Sequence, residues 1–277
     1  MSDEAAIRLG FFVGGLALMG AWEWLAPRRP LSTSKSRRWR ANLGIVLLDT
    51  AAVRLLLPVT AVGMALLAQQ RSWGLLNQLD LPPWLALLIG VLVLDCVIYF
   101  QHVVFHAVPA LWRLHRMHHS DLDFDVTTGV RFHPIEILLS MGIKLAVIVV
   151  LGPSPLAVLV FEIALNASSL FNHGNVRLPP ALDRVLRLVV VTPEMHRVHH
   201  SSLPHETNSN FGFSFPWWDR LFGTYRAQPK LGHLGMTIGL DQFRDPDRLN
   251  LGDLLLQPFR GETGDYPINR RGGGEHG

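Results

Sequence analysis

Apolar positions along this chain fall in long runs, not in the stripes of a water-soluble helix or the alternation of a strand. Ile7 to Ala26 is a run of membrane-spanning length. No positive segment precedes it and no small-residue cleavage site follows, so it reads as an anchor and not a signal peptide. Asn42 to Ala68 is a second span, interrupted by Asp49 and Arg54, which are expected to face other helices. Trp84 to about Val104 is a third. Ile135 to Phe171 is about twice the length of one span. Its break at Leu151-Gly152-Pro153-Ser154-Pro155 predicts a helical hairpin with its tip there. Ala181 to Val191 is too short to cross and is expected at the membrane interface. No solenoid-type repeat is present. The pattern predicts an all-α integral membrane bundle of about five crossings, with a helical cap outside the hydrocarbon.

Composition supports this. Of 277 residues, 49% are hydrophobic and 17% charged, and the mean hydropathy is +0.24. Soluble domains carry about 25% charged residues. A disordered chain is excluded and an ordinary cytosolic enzyme is disfavoured. The single cysteine, Cys96, excludes an intrachain disulfide and any cysteine-rich zinc or iron–sulfur site. The net charge of +3 is too small, and too concentrated in one loop, for nucleic-acid binding. That loop holds Arg28, Arg29, Lys35, Arg37, Arg38 and Arg40 with no acid between them. The positive-inside rule places it in the cytoplasm. Counting crossings then puts the N-terminus outside and everything from His102 to His119 inside. The hairpin at 135–171 returns the chain to the same face. A bacterial inner membrane is the expected bilayer.

Histidine is the anomaly. The chain has 13, none before His102, and eleven fall between His102 and His205. His102 and His106 stand at i,i+4 on the continuation of the third span, with Asp95 and Tyr99 earlier on that stretch. His115, His118 and His119 form an H-x-x-H-H pattern, and His196, His199 and His200 repeat it. Each triplet places three imidazoles on one helix face. Eight motif histidines are too many for one tetrahedral zinc, but leave about four for each of two ions, with positions open for oxygen. His173 ends the hairpin and is placed to rejoin the cluster. His133 begins the hairpin, and either joins the ligands or caps the helix that starts at Pro134. His205 and His233, in loop sequence, are expected to be exposed, and His276, in the tail, is not a ligand. All-histidine ligation leaves the metal charge uncompensated, so nearby acids are candidate partners: Asp95 first, then Asp121, Asp123, Asp125, Glu136, Glu194 and Asp219.

These motifs resemble the three histidine boxes of the fatty acid hydroxylase/sterol desaturase superfamily: His102-x3-His106, His115-x2-His118-His119 and His196-x2-His199-His200. The flanks agree: Asp95 and Tyr99, Arg131-Phe-His-Pro-Ile-Glu136, His173-Gly-Asn175, and Asn208-Ser-Asn210-Phe-Gly212 leading into Trp218-Asp219-Arg220 and Tyr225. Phe211 stands where many relatives have tyrosine. The resemblance covers about residues 40–228. It implies a non-haem di-iron site that uses O2 to hydroxylate or desaturate a lipid C–H bond. Asn210 joins His133 and Asp95 as a possible ligand or ligand partner. The chain divides into an anchor and basic loop (1–40), a histidine-box domain (41–228) and a C-terminal cytoplasmic tail (229–277).

Three other readings compete. A transmembrane haem protein needs one or two histidines per haem, not two dense triplets. A zinc-dependent hydrolase needs an H-E-x-x-H helix, which is missing. A non-catalytic metal-binding protein is compatible with ligation alone. An oxygenase also needs two electrons from elsewhere. The chain has no nicotinamide or flavin fingerprint and no haem module. The expected donor is a separate ferredoxin or b-type cytochrome with its reductase, docking near Arg113, Arg116, Arg197 and Arg220. Sterols, hopanoids, carotenoids, acyl chains and ether lipids are all conceivable substrates.

Overall fold

The computed structural model describes residues 2–269; the remainder of the tail, with His276, lies outside them. Nine helices build the part of the chain that positions the histidines: α1 (Ser2–Leu25), α2 (Lys35–Leu56), α3 (Ala61–Gln70), α4 (Pro83–Ala107), α5 (Pro109–His119), α6 (Pro134–Leu151), α7 (Pro155–Asn172), α8 (Pro180–Leu186) and α9 (Pro193–His199). Among the described residues there is no β-strand, only the isolated bridges Pro27–Val176 and Ser201–Ile238. Every helix from α4 to α9 opens with proline in its first turn. Proline's fixed φ suits that turn, and its missing N–H is one the helix would leave unbonded there anyway.

Among the described residues, five segments are long and apolar enough to cross a membrane: Glu4–Leu25, Lys35–Gln78, Pro83–Ala107, Pro134–Leu151 and Pro155–Asn172. The second is not the single helix expected over Asn42 to Ala68. It breaks into α2 and α3 at Leu57-Pro58, because Pro58 would remove an i→i−4 hydrogen bond and clash with the preceding turn. The hairpin is as expected. Its tip, Gly152, adopts φ +69°, and a Cβ there would stand 2.6 Å from the Trp73 carbonyl oxygen. Only glycine meets both constraints.

The bundle is dressed for lipid. Leu9, Phe11 and Leu18 on α1, Leu47 and Leu55 on α2, and Val150 on α6 are large, apolar and exposed. The interior cluster runs through Ala61 and Ala65 of α3, Leu94 and Ile98 of α4, Ile148 of α6 and Phe161 of α7, up to Phe213 beside the histidines. Inside it, Glu162 pairs with Lys144 at 2.9 Å and Arg8 at 2.8 Å, a neutralising arrangement for charges in a span. On α8 and the turn after it, Leu182, Val185, Leu188 and Val189 are exposed, consistent with the expected interfacial segment.

The basic loop lies at the histidine end. Arg28 Nε meets Glu194 at 2.6 Å, and Asp123 accepts from the backbone and side chains of Ser32 and Thr33. Arg38 is fully buried between Asp121 (2.7 Å) and Asp125 (2.6 Å). The loop before α4 and the hairpin tip occupy the other end, where Trp73 meets Gly152. Two exposed positions, Asp80 and Asn250, therefore lie at opposite ends of the bundle. In a Cys96→Ala background, Asp80→Cys and Asn250→Cys should react oppositely with a membrane-impermeant maleimide on intact cells. Equal labelling of both would refute the arrangement.

Candidate metal centre

Four helices deliver the histidines to one end of the bundle. His102 and His106 occupy the last two turns of α4. Val108-Pro109 ends that helix and starts α5, which brings back His115, His118 and His119. His173 is the C-cap of α7. Thr192 caps α9, accepting from Met195 N, and this short helix presents His196 and His199 with His200 as its C-cap. Gly129 lets the loop after α5 approach the end of α7: a Cβ there would lie 2.5 Å from Ser169 O and 3.0 Å from His173 Nδ1.

The nine histidines converge in two buried groups. His102, His106, His115, His119 and His199 form one; His118, His173, His196 and His200 form the other. In each, one ring nitrogen per histidine lies within 4.8 Å of all the others. In the first group Nε2 of His102 stands 3.1 Å from that of His115 and 3.0 Å from that of His199, while His106 and His119 stand 3.1 Å apart. In the second, His173 Nε2 is 3.2 Å from His118 and 3.1 Å from His196.

Hydrogen bonding at the far side of the rings fixes what these nitrogens are. Nδ1 of His102 donates to Phe211 O (2.8 Å) and that of His199 to Ser209 O (2.7 Å). His115 Nδ1 donates to Glu136 Oε1 (2.6 Å). A carbonyl or carboxylate only accepts, so the ring proton sits on Nδ1. The Nε2 atoms of His102, His115 and His199 are then bare lone pairs facing one another at hydrogen-bond distance with no proton to share. A cation between them resolves that repulsion. Two imidazole nitrogens at roughly 2.1 Å from a first-row metal, on adjacent octahedral positions, stand about 3.0 Å apart. Burial drives His115 and His173 down to about 3, and His118, His119, His196, His199 and His200 well below the usual histidine range. All seven are neutral, as ligands must be. The arrangement fits a metal centre.

The remaining candidates lie elsewhere. His133 is the N-cap of α6: its Nδ1 accepts from Ile135 N and its Nε2 donates to Leu255 O, so it joins neither group. Asp95, the acid favoured as a ligand partner, accepts instead from Trp218 Nε1 at 2.8 Å. Asn210 adopts φ +53° and clamps its loop, donating to Met195 O and Arg226 O and accepting from Arg226 N. Asp121 and Asp125 bind Arg38, Asp123 the Ser32-Thr33 turn, and Glu194 Arg28. Asp219 accepts from Phe211 N (2.7 Å) and Gly212 N (2.8 Å), holding the segment that faces His102. Of the acids considered, Glu136 is the one bonded to a histidine of the two groups. His205 is exposed as expected, but His233 is not. It is buried with Nε2 2.9 Å from Glu194, because the chain after residue 228 folds back over the cap.

That fold-back covers the water side. Tyr266 stacks on Trp112 with ring centroids 5.6 Å apart, and Trp112 lies 4.8 Å from His106 and 5.3 Å from His119. Tyr266 O accepts from Asn208 Nδ2 (2.7 Å), which orients the Asn208 amide so that its oxygen accepts from His106 Nδ1 (3.0 Å). Sequence reasoning missed Asn208 as a histidine partner. Its only signal was the motif Asn208-Ser-Asn210. The expected arginine surface also needs correction. Arg116 and Arg197 are fully buried, Arg116 on the carbonyls of Gln257, Arg260 and Glu262, and Arg197 beside Glu194. On the bundle side the walls are aromatic. Phe132 stacks on His118 at 4.5 Å, and Phe213 lies 5.9 Å from His102.

Fold and site together define a bundle of membrane-spanning length with two buried histidine groups at one end that fit a metal centre, walled by the apolar interior. Residues 87–224 match the family model "Fatty acid hydroxylase", and the chain belongs to this superfamily. It is 33% identical over 143 residues to ornithine lipid hydroxylase OlsE of Rhizobium tropici, covering 51% of this chain and 42% of that one. It is 26% identical over 251 residues to alkylglycerol monooxygenase of Xenopus tropicalis, covering 87% and 51%. With cholesterol 25-hydroxylase of Rattus norvegicus it shares 28% over 144 residues, covering 51% and 47%. The chain thus spans about half the length of the relatives it matches. No solved structure matches it.

Proposed function

We propose that this protein is a membrane lipid hydroxylase with two iron ions held by His102, His106, His115, His119 and His199 and by His118, His173, His196 and His200. The observation that carries this is the convergence of nine buried histidines at one end of an apolar helical interior. Bound iron supplies the capacity to reduce O2 and to break an unactivated C–H bond. The chain's own residues do the rest. Phe132 and Phe213 wall the site on the bundle side with apolar surface, so an aliphatic chain is accepted and bulk water is not. Tyr266 and Trp112 close the water side. Glu136, Asn208 and the carbonyls of Ser209 and Phe211 hold ring protons on Nδ1 and aim Nε2 inward. Hydroxylation is favoured over desaturation because the relatives are named as hydroxylases and monooxygenases.

Inserting one oxygen atom of O2 and releasing the other as water consumes two electrons and two protons beyond those of the C–H bond. The electrons come from a separate ferredoxin or b-type cytochrome with its reductase. The positive-inside rule, applied to the basic loop, favours a cytoplasmic histidine end, and the proposed donor docks there. The expected product in a host expressing the gene is a lipid heavier by one oxygen. It should be absent when the gene is deleted and absent anaerobically. Purified iron-loaded protein should turn over repeatedly only with a reductase chain added. A lipid lighter by two hydrogens would replace hydroxylation with desaturation. Sustained turnover without O2 or donor would exclude both.

A further inference from the structure

The two histidine groups are supported in different ways. In the five-histidine group, four rings have Nδ1 bonded to a fixed acceptor: His102 to Phe211 O, His106 to Asn208 Oδ1, His115 to Glu136 and His199 to Ser209 O. In the four-histidine group only His173 has one, the Ser169 carbonyl at 2.9 Å. Nδ1 of His118, His196 and His200 is buried without a hydrogen-bond partner, and in the first group only His119 shares that condition. The second group is held by ring faces instead. Phe132 stacks on His118, and Phe124 stacks on His173 at 5.5 Å and meets His200 edge-on at 5.0 Å.

An acceptor at the far nitrogen does two things for a ligand. It fixes the tautomer with the lone pair facing the metal, and it raises the basicity of that lone pair. A carboxylate acceptor also offsets metal charge, and Glu136 supplies this to the five-histidine group alone. A ring gripped by aromatic faces keeps its plane but has no group to fix its proton. We infer that the two positions hold metal unequally: the five-histidine position fills first and keeps its ion, and the four-histidine position is the exchangeable one. This rests on the metal-centre reading above, and makes Glu136 and Asn208 positioning residues for one ion and not the other.

The test is metal release from the full-length, iron-loaded protein in detergent, with excess ferrous chelator under anaerobic conditions. The expected time course has two phases of equal amplitude, separated at least tenfold in rate. Losing a ligand's hydrogen-bonding partner typically weakens metal binding by about 10–100-fold. Glu136→Gln and Asn208→Ala should therefore accelerate the slow phase by that order and leave the fast phase unchanged. Asn208→Asp, which keeps the acceptor oxygen, should restore slow release. A single phase in the unaltered protein, or variants that accelerate the fast phase, would overturn the inference while leaving the centre itself standing. A protein that binds no iron would instead overturn the metal-centre reading, and this inference with it.

Discussion

His118→Ala and His199→Ala should each abolish the proposed lipid hydroxylation, and each should lower bound iron from the proposed two equivalents towards one or fewer. The two variants strike different groups: His118 belongs to the set of four and His199 to the set of five. Both rings are fully buried, so truncation leaves an empty position in the middle of the cluster that no neighbour can fill. For His199→Ala, His102 keeps its bond to Phe211 O but loses the partner nitrogen 3.0 Å away. Activity should fall by two or more orders of magnitude, because the proposed reaction needs both ions. His205→Ala is the control, since that ring is exposed and belongs to neither group. The checks are iron content by mass spectrometry, hydroxylated lipid in vivo, and membrane insertion. Full activity in either core variant would remove the assignment.

Arg38→Ala should produce a large loss of stability. The guanidinium is fully enclosed, with Nε and Nη2 on the two oxygens of Asp121 and Nη1 on Asp125. Removing it strands two carboxylates in an interior that cannot hydrate them, which costs about 3–5 kcal/mol. Arg131 is the only other cation paired with Asp121 among the described residues, at 3.4 Å, too distant to take over both oxygens. The neighbouring Arg37 pairs with an exposed Asp247 at the surface, so Arg37→Ala should change stability by less than about 1 kcal/mol. Thermal unfolding in detergent distinguishes the two. Equal midpoints would show that Arg38 does not brace the cap.

The structure separates what was legible in the sequence from what was not. The spans, the hairpin and the two triplets are local patterns, so runs of apolar residues and i, i+3, i+4 spacings disclose them. Even the grouping of His173 with residues before and after the hairpin follows from counting crossings. Partner choice is a property of the fold. Asp95 lies in a span four residues before Tyr99 and invites assignment to the metal, but the fold turns it to Trp218. Glu136 lies just after the Arg131-Phe-His133 flank and looks no different from the other acids, yet α6 carries it to His115. Arg116 and Arg197 alternate with histidines in the triplets and read as a charged surface. The fold-back after residue 228 buries the first, and the Gly174 turn with Glu194 encloses the second. The break at Pro58 was also written locally, but it was masked by apolar sequence on both sides.

The fold-back has a consequence in time. A ribosome delivers His102 to His119 first, His173 next and His196 to His200 last of the ligands, yet Tyr266, whose carbonyl orients the Asn208 amide on His106, follows 66 residues after His200. At roughly 5–20 residues per second, that interval is about 3–13 s. Throughout it all nine histidines have been synthesised while Trp112 still lacks its covering ring. Closure over the two histidine groups therefore waits for a segment made after the last of them. Assembly of the centre is in this sense tied to the order of translation, and a chain that stops short of Tyr266 would be born with its door open.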